Sequence, residues 1–446
     1  LQRIEVQHLD GWVLQFLKGQ GLPVRVFDDN GRKACWDMAL AIADTPGLKR
    51  DFYKEEWKDV VLANGCSSLP EYIAARRVGR GTRLSRQQRA EIWPVFDALR
   101  TEFRQRGLWE PEDAKQAAKE LISRATTAPR YTAVVVDEAQ DLTKLQWSMI
   151  EVLKQSAERI WYAGDDDQAI HAWNGVDVKN FMNSCENIRI LNQSFRVPTS
   201  VHKLANKIVN RIDVRQYKDW NPTTREGSVD YHMNWYDVDI DEGSWTIMAR
   251  TNKVVSKIET NLRDNGYLYE RFGKTSLDGE FIQFMRMWED LQKDKAVALD
   301  SIKQLYDFVP KQGKNQVVKR GSAKSLEYLD PQSTMTYDEL VTNHGMVAPK
   351  DMKSVNVVNM SKDDQDYMAA ILRQGEDLQN PRIKLSTIHQ MKGGEDDNII
   401  LSSESCYPAV SALNQDDEHR VFYTGITRAK HNLHIVESYG KFRYMI

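Results

Sequence analysis

The sequence contains little cysteine, and no pattern that would use it. Four cysteines, Cys35, Cys66, Cys185 and Cys406, are spread over 446 residues, and none belongs to a C-x-x-C pair. Disulfide frameworks and structural zinc sites need more closely spaced thiols, so neither is indicated. Sparse, unpaired cysteine is typical of a reducing compartment, and we expect a cytoplasmic protein.

Long apolar runs and a large excess of one charge are also missing. No stretch approaches the roughly 20 apolar residues that span a bilayer, and the first residues carry no signal-peptide pattern, so no membrane contact is expected. The formal net charge is -3, so any nucleic acid would have to meet local basic clusters. Residues 75–89 form one such cluster, whose six arginines favour either a phosphate-binding surface or a solvated face.

The third absence is a P-loop. No G-x-x-x-x-G-K-[ST] sequence occurs, and the nearest imitation, Gly273 to Ser276, has Leu268 where the first glycine belongs. Such a loop supplies the backbone amides and the lysine that hold nucleotide phosphates. The chain begins with Leu1 rather than methionine, which favours a natural start farther upstream.

The sequence does contain a strand pattern that ends in acids. Residues 131–142 read Tyr-Thr-Ala-Val-Val-Val-Asp-Glu-Ala-Gln-Asp-Leu. Such an apolar run is typical of a central parallel strand covered on both faces, and α/β proteins bind ligands beyond the carboxyl ends of these strands. Asp137 is therefore a candidate Mg²⁺ ligand and Glu138 a candidate base that orients an attacking water. The alternative is a strand that simply ends in a polar turn.

Other strand and helix patterns follow in alternation. Strands are predicted just before the first helix, at 160–163, at 188–191, at 245–249, from 382 onward and at 433–436. Residues 276–378 break this rhythm and are predicted to form an inserted domain.

Two local patterns predict which side chains share a face. A helix over 420–429 would place Arg420, Thr424 and Arg428 on one stripe. Strand alternation over 383–389 would place Thr387 and His389 on one face.

Six segments, taken in order, resemble the motifs of one family. Residues 137–141 match DE-x-QD, 164–175 match GD-x-x-QSIY-x-[FW]-RG, 191–196 match L-x-x-NYR, 249–252 match YRTN, 383–395 match V-x-LMT-x-H-x-AKGLE, and 420–429 match RL-x-YVA-x-TRA. The chain is therefore similar to the UvrD/Rep/PcrA family of superfamily 1A DNA helicases.

The resemblance implies an α/β fold with two RecA-like parallel-sheet domains of the P-loop-NTPase type, each with a mainly helical insertion. The implied boundaries are 1–20 and 111–188 for the first domain, 21–110 for its insertion, 189–275 and 379–446 for the second domain, and 276–378 for its insertion.

The resemblance also implies site residues. The implied catalytic residues are Asp137, Glu138, Gln168, Arg196 and Arg428, with Asp137 as the metal ligand. The implied ATP-binding residues are Phe195, Gly393, Glu395 and Arg420, with Phe195 in place of the family tyrosine that stacks on adenine. The implied DNA contacts are Trp173, His171, Arg250, Asn252, Thr387 and His389. Asn174 departs from the family arginine, which weakens a coupling role at that position.

These features predict an ATP-dependent helicase on single-stranded DNA, with polarity 3′-to-5′ by analogy, with ATP and Mg²⁺ as cofactors and with a duplex junction as a further partner. Because the P-loop is missing, we expect the chain by itself to hydrolyse ATP poorly and the upstream portion to supply the loop. A second hypothesis is a helicase-like protein that binds single strands without ATP turnover. A third, a helicase-nuclease subunit, would need a nuclease domain after Val436.

Overall fold

The computed structural model describes residues 4–22, 29–42, 48–75, 77, 82–124, 129–172, 176, 178–358, 360–378, 380–412, 415–437 and 440–446. The chain forms two compact units. The first comprises Leu1–Ser194, Ala205–Asn221 and Pro408–Thr424, and the second comprises Phe195–Leu204, Pro222–Tyr407 and Gly425–Ile446. The fold is α/β, as predicted. The four-part domain division stays a prediction.

The helices, in chain order, are α1 (Leu9–Gly19), α2 (Asp29–Ile42), α3 (Arg50–Glu56), α4 (Leu69–Ala74), α5 (Arg86–Gln105), α6 (Pro111–Ser123), α7 (Lys144–Lys154), α8 (Val178–Met182), α9 (Thr199–Val209), α10 (Asn252–Asp264), α11 (Gly279–Gln292), α12 (Leu299–Phe308), α13 (Tyr337–Asn343), α14 (Ser354–Val357), α15 (Lys362–Gln374), α16 (Tyr407–Val410) and α17 (Asp416–Ile426). Helix α3 continues into a π-helical turn, Trp57–Leu62.

The strands are β1 (Val134–Val136), β2 (Ile160–Tyr162), β3 (Ser228–His232), β4 (Trp245–Ala249), β5 (Tyr269–Arg271), β6 (Lys274–Thr275), β7 (Val297–Ala298), β8 (Thr334–Met335), β9 (Ile383–Thr387), β10 (Asp396–Ser402) and β11 (Ala429–Val436). Among the described residues, no helix is long and apolar enough to cross a membrane.

The first unit contains a small parallel sheet, in which β1 pairs with β2. One face packs on a cluster formed by α1, α6 and α7, which includes Leu17, Ala118 and Met149. On the other face, Val135 lies opposite Trp161, and these side chains are 70% and 62% exposed. The prediction of a strand covered on both faces is therefore wrong for the described part of the chain, because nothing described there packs on Val135.

A helical region within residues 29–108 has its own core, in which Trp57 packs against Phe96. The arginine-rich segment beside it is partly structural. Arg77 donates to both oxygens of the fully buried Glu56, at 2.6 and 2.8 Å, and Arg89 donates to three carbonyls at the end of α4. For these two arginines, neither predicted alternative is correct, because their charges serve a buried carboxylate and a helix end.

The second unit is built on a seven-stranded sheet of order β3-β11-β10-β4-β9-β5-β6, as far as the described residues show. Its strand pairs are parallel except for the β5–β6 hairpin. All five residues of β4 are buried, as expected for a strand inside such a sheet. Thr251 caps α10 by accepting from the Val254 amide, and Gly266, at φ 78°, follows the end of this helix.

The segment predicted as an insertion in the second domain contains α11 to α15 and the β7–β8 hairpin. Its core is apolar, and the indole of Trp288 is fully buried against the ring of Tyr337.

Two predicted strands are absent from the described residues. Residues 188–191 form no strand, and Leu191 is 87% exposed. Residues 4–8 also lack regular structure, and the chain enters α1 directly. Both segments have a strand-like apolar pattern, but neither has a partner strand to satisfy its backbone.

Candidate functional site

The carboxyl ends of β1 and β2 meet through one buried glutamine. Gln140 donates to Glu138 Oε2 at 2.5 Å and accepts from the Asp165 amide at 3.1 Å. It is 1% exposed, so its amide group bridges the two strand ends inside the protein. Gln140 stands inside the DE-x-QD match but is not among the predicted site residues.

Gly164 makes this bridge possible. A Cβ atom added to Gly164 would lie 2.2 Å from Gln140 Oε1, far inside a normal contact. A side chain at this position would therefore displace the amide that joins the two strand ends. The Gln140 bridge, from the first motif, therefore requires a glycine at position 164, in the second motif.

Asp137 and Glu138 project from the end of β1 and are exposed. Asp137 Oδ1 accepts from the Glu138 amide at 2.9 Å. Glu138 has φ 50°, which is rare for a residue with a side chain and which occurs preferentially at functional sites. An exposed carboxylate at a strand end is chemically suited to Mg²⁺, so Asp137 fits the metal role implied by the sequence.

Gln168 lies beside these residues on the turn after β2. Its side chain donates to Asp165 Oδ2 at 2.7 Å, and Asp165 Oδ1 accepts from the Asp167 amide at 3.1 Å. The structure therefore brings Asp137, Glu138 and Gln168 into one polar network at the sheet edge, through Gln140 and Asp165.

Three neighbouring aspartates, Asp165 to Asp167, are paired with two cations that are not among the predicted site residues. Lys218 Nζ lies 2.9 Å from Asp165 and 3.0 Å from Asp167, and it also bonds to Asp166. Arg215 donates to both oxygens of Asp167, at 2.8 and 2.7 Å. The carboxylate oxygens of the triplet lie within 4.8 Å of one another, but an ammonium group already serves them, so we do not assign a metal site there.

The electrostatics of this cluster follow from the pairing. Burial alone would lower the pKa of Lys218, but the three carboxylates outweigh burial and raise it above its ordinary value. Burial pushes the pKa of Asp165 upward, whereas the charge and hydrogen bond of Lys218 leave it below its ordinary value. Lys218 lies some 50 residues from the triplet, and no local pattern signals the contact.

Arg420 is 2% exposed and supports the same turn. Its Nε donates to the Asp166 carbonyl at 2.9 Å, and a second nitrogen donates to the Val214 carbonyl. The described contacts of Arg420 therefore position backbone around the aspartate triplet. Its predicted contact with ATP stays a prediction.

In the second unit, the structure brings Arg196 and Glu395 together. Arg196 lies 3.6 Å from Glu395, and Lys430 lies 2.9 Å from the other carboxylate oxygen. The hydrogen bond from Lys430 is the main cause of the lowered pKa of Glu395. Phe195, next to Arg196, is 89% exposed, so its ring is accessible for stacking.

Arg428 lies in a turn rather than on a helix. Helix α17 ends at Ile426, and β11 begins at Ala429, so the predicted helical stripe of Arg420, Thr424 and Arg428 is wrong at its last member. Strand β11 runs parallel to β10, so α17 carries the chain back along the sheet and the chain must reverse direction between α17 and β11. Arg428 is 2% exposed and donates to the Gly394 carbonyl at 3.2 Å, beside Gly393 at φ 80°.

The ends of β4 and β9 carry the residues predicted to contact DNA. The Ile388 amide donates to the Ala249 carbonyl at 3.0 Å, which joins the two strand ends and brings Arg250 near Thr387. Thr387 is 6% exposed and bonds to Gln390. His389 lies in the turn after β9, so its predicted place on the strand face with Thr387 is wrong, because the strand ends first.

Asn252 is exposed at the first position of α10, and Arg250 is half-buried. His171 is half-buried after the turn that carries Gln168. The predicted stacking residue Trp173 and the departing residue Asn174 lie outside the described residues.

Two family models match this chain. The UvrD/REP helicase N-terminal domain matches residues 82–189, which include the Asp137, Gln140 and Asp165 network. The UvrD-like helicase C-terminal domain matches residues 353–439, which include Glu395 and Arg428. These two matches, which together cover less than half of the chain, support a UvrD/PcrA-like helicase.

Curated relatives support this UvrD-like assignment over shorter stretches. DNA helicase II of Escherichia coli is 35% identical over 92 residues, which is 19% of this chain and 13% of the relative. DNA helicase II of Salmonella typhimurium is 33% identical over 92 residues, with the same coverage. ATP-dependent DNA helicase PcrA of Staphylococcus aureus is 26% identical over 109 residues, which is 23% of this chain and 15% of the relative. The aligned segments thus cover less than a sixth of the relatives' own lengths.

Proposed function

We propose that this UvrD-like chain acts as an ATP-dependent helicase or translocase on single-stranded DNA, with 3′-to-5′ polarity. The observation that carries the proposal is the buried Gln140 bridge, which fixes Asp137, Glu138 and Gln168 at one sheet edge. Phosphoryl transfer depends mainly on positioning and on charge stabilisation, and this network supplies positioning.

In the first unit, Asp137 would hold Mg²⁺, Glu138 would orient the attacking water and Gln168 would contact the γ-phosphate. Bound Mg²⁺ would neutralise charge on the phosphates. The left-handed backbone at Glu138 and the bond from Gln140 fix the direction of its carboxylate. Arg420 would complete the ATP site, and its bond to the Asp166 carbonyl already positions the Gln168 turn.

In the second unit, Phe195 would stack on adenine and Glu395 would bind the ribose beside Gly393. Arg196 and Arg428 would stabilise the charge that develops on the transferred phosphoryl group. In support, the ring of Phe195 is exposed, and Arg196 lies 3.6 Å from Glu395.

Arg250, Asn252, Thr387 and His389 would contact the DNA backbone, and His171 and Trp173 would contribute further DNA contacts. Four of these residues lie at or just after the ends of the adjacent strands β4 and β9, where polar side chains can meet one strand of DNA. We also propose a duplex junction as the helicase substrate.

We further infer the domain division 1–20 with 111–188, 21–110, 189–275 with 379–446, and 276–378. A cytoplasmic location is inferred from the cysteine usage. Because the 446 residues contain no P-loop sequence, the chain by itself should turn over ATP poorly.

The proposal is tested with Glu138→Gln in the natural full-length protein. If Glu138 orients water, the substitution should lower DNA-stimulated ATP turnover by about 10²- to 10⁴-fold and leave nucleotide binding intact. Glu151→Gln is the matched control, because that carboxylate is 54% exposed on the same unit and takes no part in the network. Equal turnover in the wild type and Glu138→Gln would contradict the assignment.

The second candidate is a helicase-like protein that binds single strands without ATP turnover, which the missing P-loop sequence favours. The two candidates differ in one measurement. A helicase should separate a partial duplex with a 3′ single-stranded tail in an ATP-dependent reaction, and should do so poorly with a 5′ tail. Binding of the tail without ATP-dependent separation, by the full-length protein, would favour the second candidate.

A further inference from the structure

The β5–β6 hairpin carries a phenylalanine in a backbone conformation that phenylalanine rarely adopts. Arg271 pairs with Lys274, so Phe272 and Gly273 form a two-residue loop, with φ angles of 56° and 71°. Two positive φ angles define the type I′ hairpin turn, in which Asn-Gly is favoured because asparagine and glycine tolerate left-handed backbone. Phenylalanine does not, so folding alone does not explain its presence.

The ring of Phe272 is not needed for a core. Phe272 is 60% exposed. The guanidinium carbon of Arg271 lies 4.8 Å from the ring centroid, close enough for a cation–π contact on the ring. Arg271 is itself held in place, since it bonds to Ser256 at 3.1 Å and to the carboxylate of Glu259. The structure therefore presents an aromatic ring to solvent on a fixed support.

The hairpin lies at the sheet edge that carries the proposed DNA contacts. Strand β5 runs parallel to β9, and β9 runs parallel to β4, with Arg271, Leu385 and Ile247 in register. The three strands therefore end on one edge of the sheet. Arg271 also donates to Asn252 Oδ1 at 3.4 Å, which joins the support of the ring to a residue proposed to contact the DNA backbone.

We propose that Phe272 is a base-stacking platform for single-stranded nucleic acid. An exposed aromatic ring beside polar, backbone-binding side chains is the combination that single-strand-binding surfaces use, because every base offers a π-face. The inference rests on the proposed function, since it assumes that DNA lies along this edge. It adds a binding residue that none of the six motif matches contains.

The test measures binding of fluorescein-labelled oligothymidylate of 16 nucleotides by anisotropy, at fixed salt. Phe272→Asn replaces the ring with the residue that the turn favours, and Phe272→Trp keeps an aromatic platform. Tyr236→Ala is the matched control, because Tyr236 is also 60% exposed but follows β3, at the opposite side of the sheet order. Each variant is also tested with an abasic oligomer of equal length, which keeps the phosphates but has no bases to stack.

We expect Phe272→Asn to weaken oligothymidylate binding by about 5- to 150-fold, the range for one lost stacked base. Phe272→Trp and Tyr236→Ala should bind like the wild type. With the abasic oligomer, Phe272→Asn and the wild type should bind alike. The melting temperature of Phe272→Asn should equal or exceed that of the wild type, because asparagine relieves the turn.

Three results would overturn the inference. Equal oligothymidylate affinity in the wild type and Phe272→Asn would show that the ring does not stack, while the proposed function would stand. A lower melting temperature in Phe272→Asn, with equal losses on both oligomers, would show that Phe272 has a structural role. If the wild type does not bind oligothymidylate at all, the proposed function fails and this inference fails with it.

Discussion

Strands β1 and β4 have similarly apolar sequences but very different surroundings. In β4, all five residues are buried in the seven-stranded sheet. In β1, the middle residue Val135 is 70% exposed, and its neighbour across the sheet, Trp161, is 62% exposed. An apolar run therefore predicts a strand, but whether the strand is covered depends on elements far away in the sequence.

The two regions also differ in what fixes their functional ends. At the ends of β1 and β2, Gln140 joins the two turns, and ion pairs from Lys218 and Arg215 hold the turn after β2. At the end of β4, the sheet and its apolar cluster hold the backbone, and Arg250 and Asn252 follow directly. The first arrangement depends on charge and pH, and the second depends on packing.

The largest expected effect on stability comes from removing the cation that holds the polar turn after β2. Lys218→Met leaves the three aspartates without their shared cation, so we expect the free energy of unfolding to fall by about 3–5 kcal/mol at neutral pH. Lys218 holds the pKa of Asp165 below its ordinary value, so the loss should shrink only at acidic pH below the ordinary range of aspartate, where Asp165 becomes protonated in the folded wild type. Urea unfolding of the wild type and the variant measures both quantities.

The control for Lys218→Met is Lys203→Met. The Lys203 side chain is 69% exposed and lies 3.9 Å from Glu226, so its removal should change the free energy of unfolding by less than about 1 kcal/mol. A comparable loss in both variants would show that the aspartate cluster has no special dependence on Lys218.

Ile247→Ala tests how much the stability of the second unit depends on the packing of β4. This side chain is 1% exposed, so its truncation should cost about 2–5 kcal/mol. Val135→Ala in β1 should change the free energy of unfolding by about 0.5 kcal/mol or less, because the side chain is already in solvent. Similar costs at the two positions, measured by urea unfolding, would show that the open face of β1 is covered in solution.

A buried acid, Glu110, gives the first unit a further dependence of stability on pH. Glu110 is 3% exposed, and burial raises its pKa to about 7, although Arg32 donates to it at 3.1 Å. Because the folded protein binds this proton more tightly than the unfolded chain, stability should fall as pH rises from 4.5 to about 7, by roughly 3 kcal/mol at most.

Glu110→Gln should remove that fall, because glutamine does not titrate. Thermal melting across this pH range, compared between the wild type and the variant, measures the effect. An unchanged slope in Glu110→Gln would assign the pH dependence to other groups.

The smallest expected effect concerns the bridge between the strand ends. Gly164→Ala would place a Cβ atom against Gln140 Oε1, so the bridge must shift, at a cost of about 1–3 kcal/mol. Gly279→Ala is the control, because, apart from its chain neighbours and its own helix backbone, no atom of the described residues lies within 4 Å of its added Cβ. Full stability and full ATP turnover in Gly164→Ala, in the full-length protein, would show that the bridge is dispensable.

Much of the second unit could be predicted from local sequence. The apolar run at 245–249 indicates β4, and the capping threonine Thr251 indicates the start of α10, because strand and helix signals lie within a few residues. The six motif matches also indicated the family. The strand predicted at 188–191 is absent. Its apolar pattern is strand-like, but a strand also needs a partner strand for its backbone, and the pattern does not specify that partner.

The sequence by itself determined that acids follow an apolar strand at Asp137 and Glu138, and that a UvrD-like order of motifs runs along the chain. Only the tertiary structure decided that Lys218 neutralises the aspartates, that Arg428 lies in a turn against Gly394, and that Phe272 faces solvent. The physical reason is the distance along the chain over which each interaction acts. Hydrophobic periodicity and capping act within a few residues, whereas charge pairing and burial depend on groups that folding brings together from distant parts of the chain.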